Sequence, residues 1–212
     1  MLYRGSLLKR RAIKLFPIGS ISLGYAQNAR KIHNNNLLRK QLQLKEMTMS
    51  QTEKNLMEAF AGESQANRKY LAFAKQAEKE GYPRAARLFR AAAEAETVHA
   101  HTHLKTLGGV RSTAENLKEA IAGETHEFNS MYPEMIKTAE AEGDKAAVRT
   151  FTYANEVEKI HAALYQKALD TLSDQEMADY YVCSVCGYTC ENEPPDSCPV
   201  CKAKAKAFTK VD

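Results

Sequence analysis

Two short motifs in this 212-residue chain pair a carboxylate with an imidazole at one spacing: Glu96-x-x-His99 and Glu158-x-x-His161. On a helix turning about 100° per residue, side chains three apart lie about 60° apart on one face, so both can reach one point. A lone glutamate precedes each motif, Glu63 and Glu124 respectively. Four carboxylates and two imidazoles directed at the middle of a helical bundle form the donor set of a di-iron centre. Iron cycling between its ferrous and ferric states favours hard carboxylate oxygens and tolerates imidazole in both. Glu127, three residues after Glu124, supplies a fifth carboxylate; Ala66 holds its place in the first set. That extra anion is expected to favour the ferric state and to make the two irons inequivalent. One ExxH on a Glu-rich helix is a chance event, but two in register, each with its upstream glutamate, are not. Tyr70 and Tyr132 follow Glu63 and Glu124 by about two turns, where a phenol can hydrogen-bond a carboxylate and supply protons. His101, His103 and His126 flank the motifs and are expected outside the ligand set.

A second constellation lies at the other end of the chain. Cys183-x2-Cys186 and Cys198-x2-Cys201 supply four thiolates, the donors of a tetrahedral zinc or of a single iron. Residue types alone leave that choice open. All five cysteines fall between 183 and 201, so metal binding fits better than a disulfide framework, and Cys190 is a spare thiol. A module this small needs such a staple to fold. Tyr180, Tyr181, Val182, Tyr188 and Phe208 can surround it with apolar area.

Helices must position the first constellation, and their punctuation is legible. Ser50-x-x-Glu53 and Ser112-x-x-Glu115 are capping boxes that place helix starts just after each serine. Gly81-Tyr82-Pro83 separates a first helix from a second, Gly108-Gly109 ends the second, and Gly143-Asp144 separates a third from a fourth that runs to about Leu172. Four long helices with short connections predict a bundle. One helical hairpin occurs twice. Ala61-Gly62-Glu63 recurs as Ala122-Gly123-Glu124 at an offset of 61. Glu80-Gly81, Arg87-Leu88-Phe89 and Glu96-x-x-His99 recur as Glu142-Gly143, Arg149-Thr150-Phe151 and Glu158-x-x-His161 at an offset of 62.

Charge divides the chain further. The formal net charge is +4, yet residues 1–45 hold ten Lys/Arg and no acid, leaving 20 basic against 26 acidic residues in the remainder. A net-acidic body argues against nucleic acid as a partner. No apolar run approaches the roughly 18 residues of a membrane span, so no membrane partner is expected. Residues 1–48 are expected to be a basic N-terminal extension, either upstream translation ahead of Met47 or Met49 or an organellar presequence; a secretory reading is poorer. The expected organisation is this extension over 1–48, a di-iron four-helix bundle over 49–173, a linker over 174–180 and a cysteine module over 181–212. The expected location is cytoplasmic, with a mitochondrion-related organelle as the alternative if 1–48 is a presequence.

AGES at 61–64, EAETVHA at 94–100, AGET at 122–125, MYPEM at 131–135 and EKIHA at 158–162, followed by CSVCGY and CPVCKA, closely resemble rubrerythrin over about 49–212. The resemblance implies a mainly α fold: a ferritin-like four-helix bundle plus a small C-terminal rubredoxin-like iron-knuckle domain. It favours a single Fe(Cys)4 iron over zinc at Cys183, Cys186, Cys198 and Cys201. It further implies a non-haem peroxidase that reduces hydrogen peroxide to water and protects against oxidative stress. Its electrons would come from an NAD(P)H-dependent rubredoxin reductase or a free rubredoxin, relayed through the thiolate iron. By motif, the di-iron ligands would be Glu63, Glu96, His99, Glu124, Glu127, Glu158 and His161, with Glu127 and His99 exchanging at one iron and Tyr70 and Tyr132 beside the ligands.

The connection between the second and third helices is shorter than in the family's longer form. In a ferritin-like bundle those helices run parallel, so the link must traverse roughly 28 Å at 1.5 Å per residue, whereas residues 108–112 reach about 20 Å at most. The expectation is a domain-swapped homodimer, with an up-down-up-down bundle in one chain as the competitor. Two other functions compete: a ferritin-like ferroxidase or iron store, which has no need of an electron-delivering module, and a purely structural zinc-stapled bundle, which has no use for two ligand sets.

Overall fold

The structure, a computed structural model, describes residues 49–174 and 177–211; the basic extension expected over 1–48 lies outside the described residues. Two compact units meet between His103 and Leu104.

The first unit is a helical hairpin of α1 (Gln51–Lys79) and α2 (Pro83–Thr106). Ser50 caps α1 through the expected reciprocal pair: Glu53 N–H donates to Ser50 Oγ at 3.1 Å and Ser50 N–H to Glu53 Oε2 at 2.7 Å. At the turn Gly81 takes a φ of +80°, and Pro83, which has no N–H to leave unpaired, opens α2. The buried positions of the hairpin are all alanine (Ala74, Ala77, Ala86, Ala93 and Ala100). Beside them, Phe73 and Phe89 meet edge to face at 5.6 Å, with Tyr70 tilted 6.2 Å from Phe89. Asn67 binds across the pair, its Nδ2 donating to Ala93 O at 2.7 Å and Thr97 Oγ1 at 2.8 Å. Much apolar area remains open, with Phe73 47%, Leu88 70% and Val98 64% exposed.

The second unit begins at the end of α2, where Gly109 N–H turns back to Leu104 O at 2.9 Å. A Cβ at Gly109 would lie 2.4 Å from Leu104 Cδ1, so a side chain there would have to push the Leu104 side chain aside. A second capping box, Ser112 with Glu115, opens α3 (Thr113–His126). The single third helix expected from the sequence is interrupted: Glu127–Met131 forms one π turn before α4 (Tyr132–Glu142). Tyr132 N–H donates to Glu127 O, five residues back instead of four. This turn holds one residue more than an α turn, and it falls where the repeat offset steps from 61 to 62, between Glu124 and Tyr132. Pro133, which has no N–H to donate back along the helix, follows directly on the π turn. Gly143, at φ +74°, ends α4, and Asp144 caps α5 (Lys145–Asp170) by accepting from the Ala146 and Ala147 N–H groups. The fourth helix thus stops two residues short of Leu172, with Thr171 as its cap. Helix α5 packs along both α3 and α4, burying Ala139 and Val157.

The C-terminal module is a three-stranded antiparallel sheet ordered β2-β1-β3, from β1 (Tyr180–Cys183), β2 (Thr189–Glu191) and β3 (Phe208–Val211). Tyr180, expected to close the linker, already belongs to β1, where it pairs with Glu191 and Val211. The architecture is mainly α, with the helical complement of a four-helix bundle and a small cysteine-bearing sheet. No helix among the described residues is long and apolar enough to cross a membrane.

The Asn67 bridge gives the first expected outcome. Asn67→Ala removes two cross-helix hydrogen bonds and leaves Ala93 O with Thr97 alone, an expected loss of about 1–3 kcal/mol by urea unfolding. An unchanged urea midpoint would mean the bridge does not hold the hairpin.

Candidate metal centres

Each helical pair gathers its own cluster. In the second unit, ligand atoms of Glu124, Glu158 and His161 lie within 4.8 Å of one another, as do those of Glu63, Glu96 and His99 in the first. The i,i+3 spacing sets the local geometry: His161 Nδ1 is 2.7 Å from Glu158 Oε2 and His99 Nδ1 is 2.9 Å from Glu96 Oε2. Glu124, arriving from α3, stands 3.7 Å from His161 Nδ1. The aromatic flank repeats too: Tyr132 lies 6.3 Å from Phe151 as Tyr70 lies 6.2 Å from Phe89.

The electrostatics of the second cluster show what it lacks without a cation. Burial and the Glu158 carboxylate push the Glu124 carboxyl up to about 7, and a hydrogen bond to Glu158 adds to the rise. Burial and Glu158 also raise Glu127. Glu127, three residues after Glu124, therefore lies in the field of the same cluster. Tyr132 is raised by burial and then by the charges of Glu127, Glu158 and Glu124, which keeps its phenol protonated. Carboxylates crowded at partial burial hold protons that a divalent cation would displace. The donor set, hard oxygens with one imidazole per half, fits iron.

His101 and His126 are exposed and His103 is half-buried, and none joins either cluster. The half-sites differ in cover: the His99 side chain is 55% exposed and the His161 side chain 26%. Part of that difference is Thr189 of β2, whose Oγ1 lies 3.0 Å from His161 Nε2. Spacing and periodicity carry no signal for this residue; only the seating of the module on α5 brings it there.

The four module cysteines form a cage from two matching knuckles. Cys183 N–H donates to Tyr188 O at 2.9 Å and Cys198 N–H to Ala203 O at 2.7 Å, while Gly187 N–H and Lys202 N–H return to Cys183 O and Cys198 O. Gly187 (φ +84°) and Lys202 (φ +64°) occupy equivalent turn positions. The Sγ atoms of Cys183 and Cys201 are 3.7 Å apart and those of Cys186 and Cys198 3.5 Å, with all four within 4.8 Å. A tetrahedron with metal–sulfur bonds of about 2.3 Å has edges of about 3.8 Å, so the cage has the size of a tetrahedral metal ion. Cys183 and Cys198 are buried, and Tyr188 meets Phe208 edge to face at 6.2 Å. Burial pushes the Cys186 thiol far up, again a proton held where a cation would otherwise be. Cys190 stays outside the cage, its Sγ 3.6 Å from Glu193 O.

Helical pairs carrying carboxylate–imidazole clusters, joined to a four-thiolate cage, define a non-haem metalloprotein with two kinds of metal site. Residues 54–169 match the rubrerythrin family and residues 181–209 the rubrerythrin rubredoxin-like domain. Rubrerythrin-2 of Clostridium acetobutylicum is 38% identical over 170 residues, covering 72% of this chain and 92% of that protein. Rubrerythrin of Porphyromonas gingivalis is 38% identical over 173 residues (72% and 86%), and nigerythrin of Nitratidesulfovibrio vulgaris 34% identical over 172 (74% and 85%). The chain belongs to the rubrerythrin family. Membership implies a ferritin-like bundle with a di-iron centre, a rubredoxin-like Fe(Cys)4 site and oxidoreductase chemistry.

The raised Glu124 carboxyl sets a pH dependence. In the metal-free fold it holds its proton up to about pH 7, whereas the unfolded chain releases it near 4.5. The folded state binds more protons between those values, so this contribution to stability is complete below the lower one and lost as pH rises through the upper. The metal-free protein is expected to melt at progressively lower temperature from about pH 5 to about pH 8, and Glu124→Gln to flatten that slope. Equal slopes for the two proteins would remove the buried-carboxylate account.

Proposed function

We propose that the chain reduces hydrogen peroxide to two waters, consuming two electrons and two protons, with the electrons entering through the Fe(Cys)4 site. Glu63, Glu96, His99, Glu124, Glu127, Glu158 and His161 would hold the two irons. Cys183, Cys186, Cys198 and Cys201 would hold the third. With iron bound, the pair supplies the two electrons that cleave the O–O bond. The remaining roles fall to this chain's side chains. Tyr132, kept protonated by its burial and by the surrounding carboxylates, would serve as a proton donor beside the cluster, with Tyr70 as its counterpart in the first hairpin. Glu127 adds negative charge to one half only and so favours the oxidised state there.

The observation that carries this reading is the seating of the four-thiolate module on α5, the helix that bears Glu158 and His161. A Cβ at Gly187, next to Cys186, would lie 3.8 Å from Val157 Cγ1, and Thr189 reaches His161. An electron-transfer module against a metal-binding helix serves a redox cycle; the ferroxidase or storage alternative leaves it idle. The external donor would be an NAD(P)H-dependent rubredoxin reductase or a rubredoxin, and the setting a cytoplasmic response to oxidative stress.

The working unit would be a domain-swapped homodimer in which α1–α2 of one chain close a bundle with α3–α5 of its partner. Two facts support this. The connection from Thr106 to Thr113 spends its first residues in the turn that returns Gly109 N–H to Leu104 O. The apolar side chains of α1 and α2, Phe73, Leu88 and Val98 among them, are left open.

Stopped-flow mixing of the reduced protein with peroxide tests the activity. Reoxidation much faster than with oxygen is expected; slow reaction with growth of a mineral core would favour iron storage instead. Sedimentation of the iron-loaded protein is expected to give a dimer, and a monomer with a full iron complement would defeat the swap.

A further inference from the structure

The contact between the cysteine module and α5 does more than bring two sites together. Thr189 Oγ1 lies 3.1 Å from Gly187 O, to which it donates, and 3.0 Å from His161 Nε2. A hydroxyl carries one proton, and a carbonyl oxygen can only accept. The Gly187 contact therefore uses the Thr189 proton and leaves Oγ1 only lone pairs to offer His161. For that contact to be a hydrogen bond, Nε2 must carry hydrogen. A neutral imidazole protonated at Nε2 has its lone pair at Nδ1, the nitrogen 2.7 Å from Glu158 Oε2 and 3.7 Å from Glu124 Oε1.

We infer that Thr189 is a positioning residue that fixes the tautomer and ring angle of His161, so that Nδ1 is presented to the metal and Nε2–H ties the ligand to the Cys186 knuckle. The inference rests on the reading of His161 as an iron ligand. Thr189 opens β2 opposite Val182, held by the sheet, so its hydroxyl is placed by the module's fold and not by α5. Gly187 immediately follows Cys186, and its peptide carbonyl is the other end of the hydroxyl's bonds. A continuous path therefore runs from the Cys186 thiolate along the Gly187 peptide and through two hydrogen bonds to the imidazole. With iron at both sites, one electron passing along it would oxidise the thiolate iron and reduce the carboxylate-bound pair by one equivalent, and an NAD(P)H-class reductant would restore the thiolate iron. His99, the corresponding histidine of the first hairpin, is the more exposed of the two. The module thus marks one histidine of the pair.

The test uses the full chain and metal alone. In the zinc-loaded protein, long-range proton–nitrogen NMR is expected to show His161 with hydrogen on Nε2 and zinc on Nδ1. Cobalt(II) titration of the metal-free protein is expected to give about 10- to 100-fold weaker binding at the carboxylate–imidazole site for Thr189→Val, with the thiolate site unchanged. Thr189→Ser, which keeps the hydroxyl, is expected to restore wild-type affinity. In the iron protein, oxidation of the reduced thiolate iron by the oxidised pair is expected to slow in Thr189→Val and recover in Thr189→Ser. Zinc on Nε2 in the wild type, or equal cobalt affinity in wild type and Thr189→Val, would overturn the inference. Neither metal titration nor NMR involves peroxide, so these results stand apart from the outcome of the stopped-flow experiment. Should Thr189→Val fail to fold, the wild-type tautomer still decides.

Discussion

Carboxylates placed together on helix faces, half out of water, repel one another and lose hydration at once. The cluster at Glu124, Glu158 and His161 shows the consequence, since in the metal-free fold burial and Glu158 push the Glu124 carboxyl up to about 7. A protein keeps such an arrangement only if something positive occupies it, and the rest of this structure follows from that need. In the first hairpin every buried position is alanine, a side chain small enough to let two helices approach closely. The same logic recurs on a smaller scale in the cysteine cage, where the Cys186 thiol is pushed up by burial and the sheet closes around sulfur instead of a hydrocarbon core.

Duplication supplies the symmetry of the helical part, and one inserted residue breaks it. The two hairpins share cap, turn, aromatic pair and ExxH. At the start of the π turn at Glu127–Met131, Glu127 adds a carboxylate that α1, with Ala66 at the matching place, lacks. A single extra residue in an α helix would ordinarily rotate everything after it by about 100°. Here the widened turn absorbs it, so Tyr132 still meets Phe151 as Tyr70 meets Phe89. The insertion leaves the tyrosine–phenylalanine contact in place in both halves.

Much of this was legible in residue types and spacing, for a physical reason. Caps and turns are decided within four or five residues, so Ser50, Ser112, Gly81, Gly143 and Asp144 announced helix limits that the structure reproduces within about two residues. Clusters of potential donors are legible because metal chemistry restricts donor type and helix geometry restricts spacing. The π turn was written only indirectly, as the step from 61 to 62 in the repeat offset, because an α and a π turn use the same residue types. Thr189 was not legible at all. Its partner His161 is 28 residues away, on a different kind of element, and a threonine after an aromatic residue in a short strand has no periodicity to betray a role.

That long-range contact also explains why two repeated half-sites need not behave alike. His99 and His161 occupy the same position in duplicated motifs, and each meets its own glutamate through Nδ1 at nearly the same distance. What differs is the far side of the ring. A neutral imidazole is an ambident ligand, and the hydrogen bond at one nitrogen decides the lone pair at the other. By placing a hydroxyl whose own proton is already committed to Gly187 O, the cysteine module removes that freedom from His161. The duplicated hairpin brings the carboxylates and imidazoles together, and the appended module sets a hydroxyl against one of the two rings.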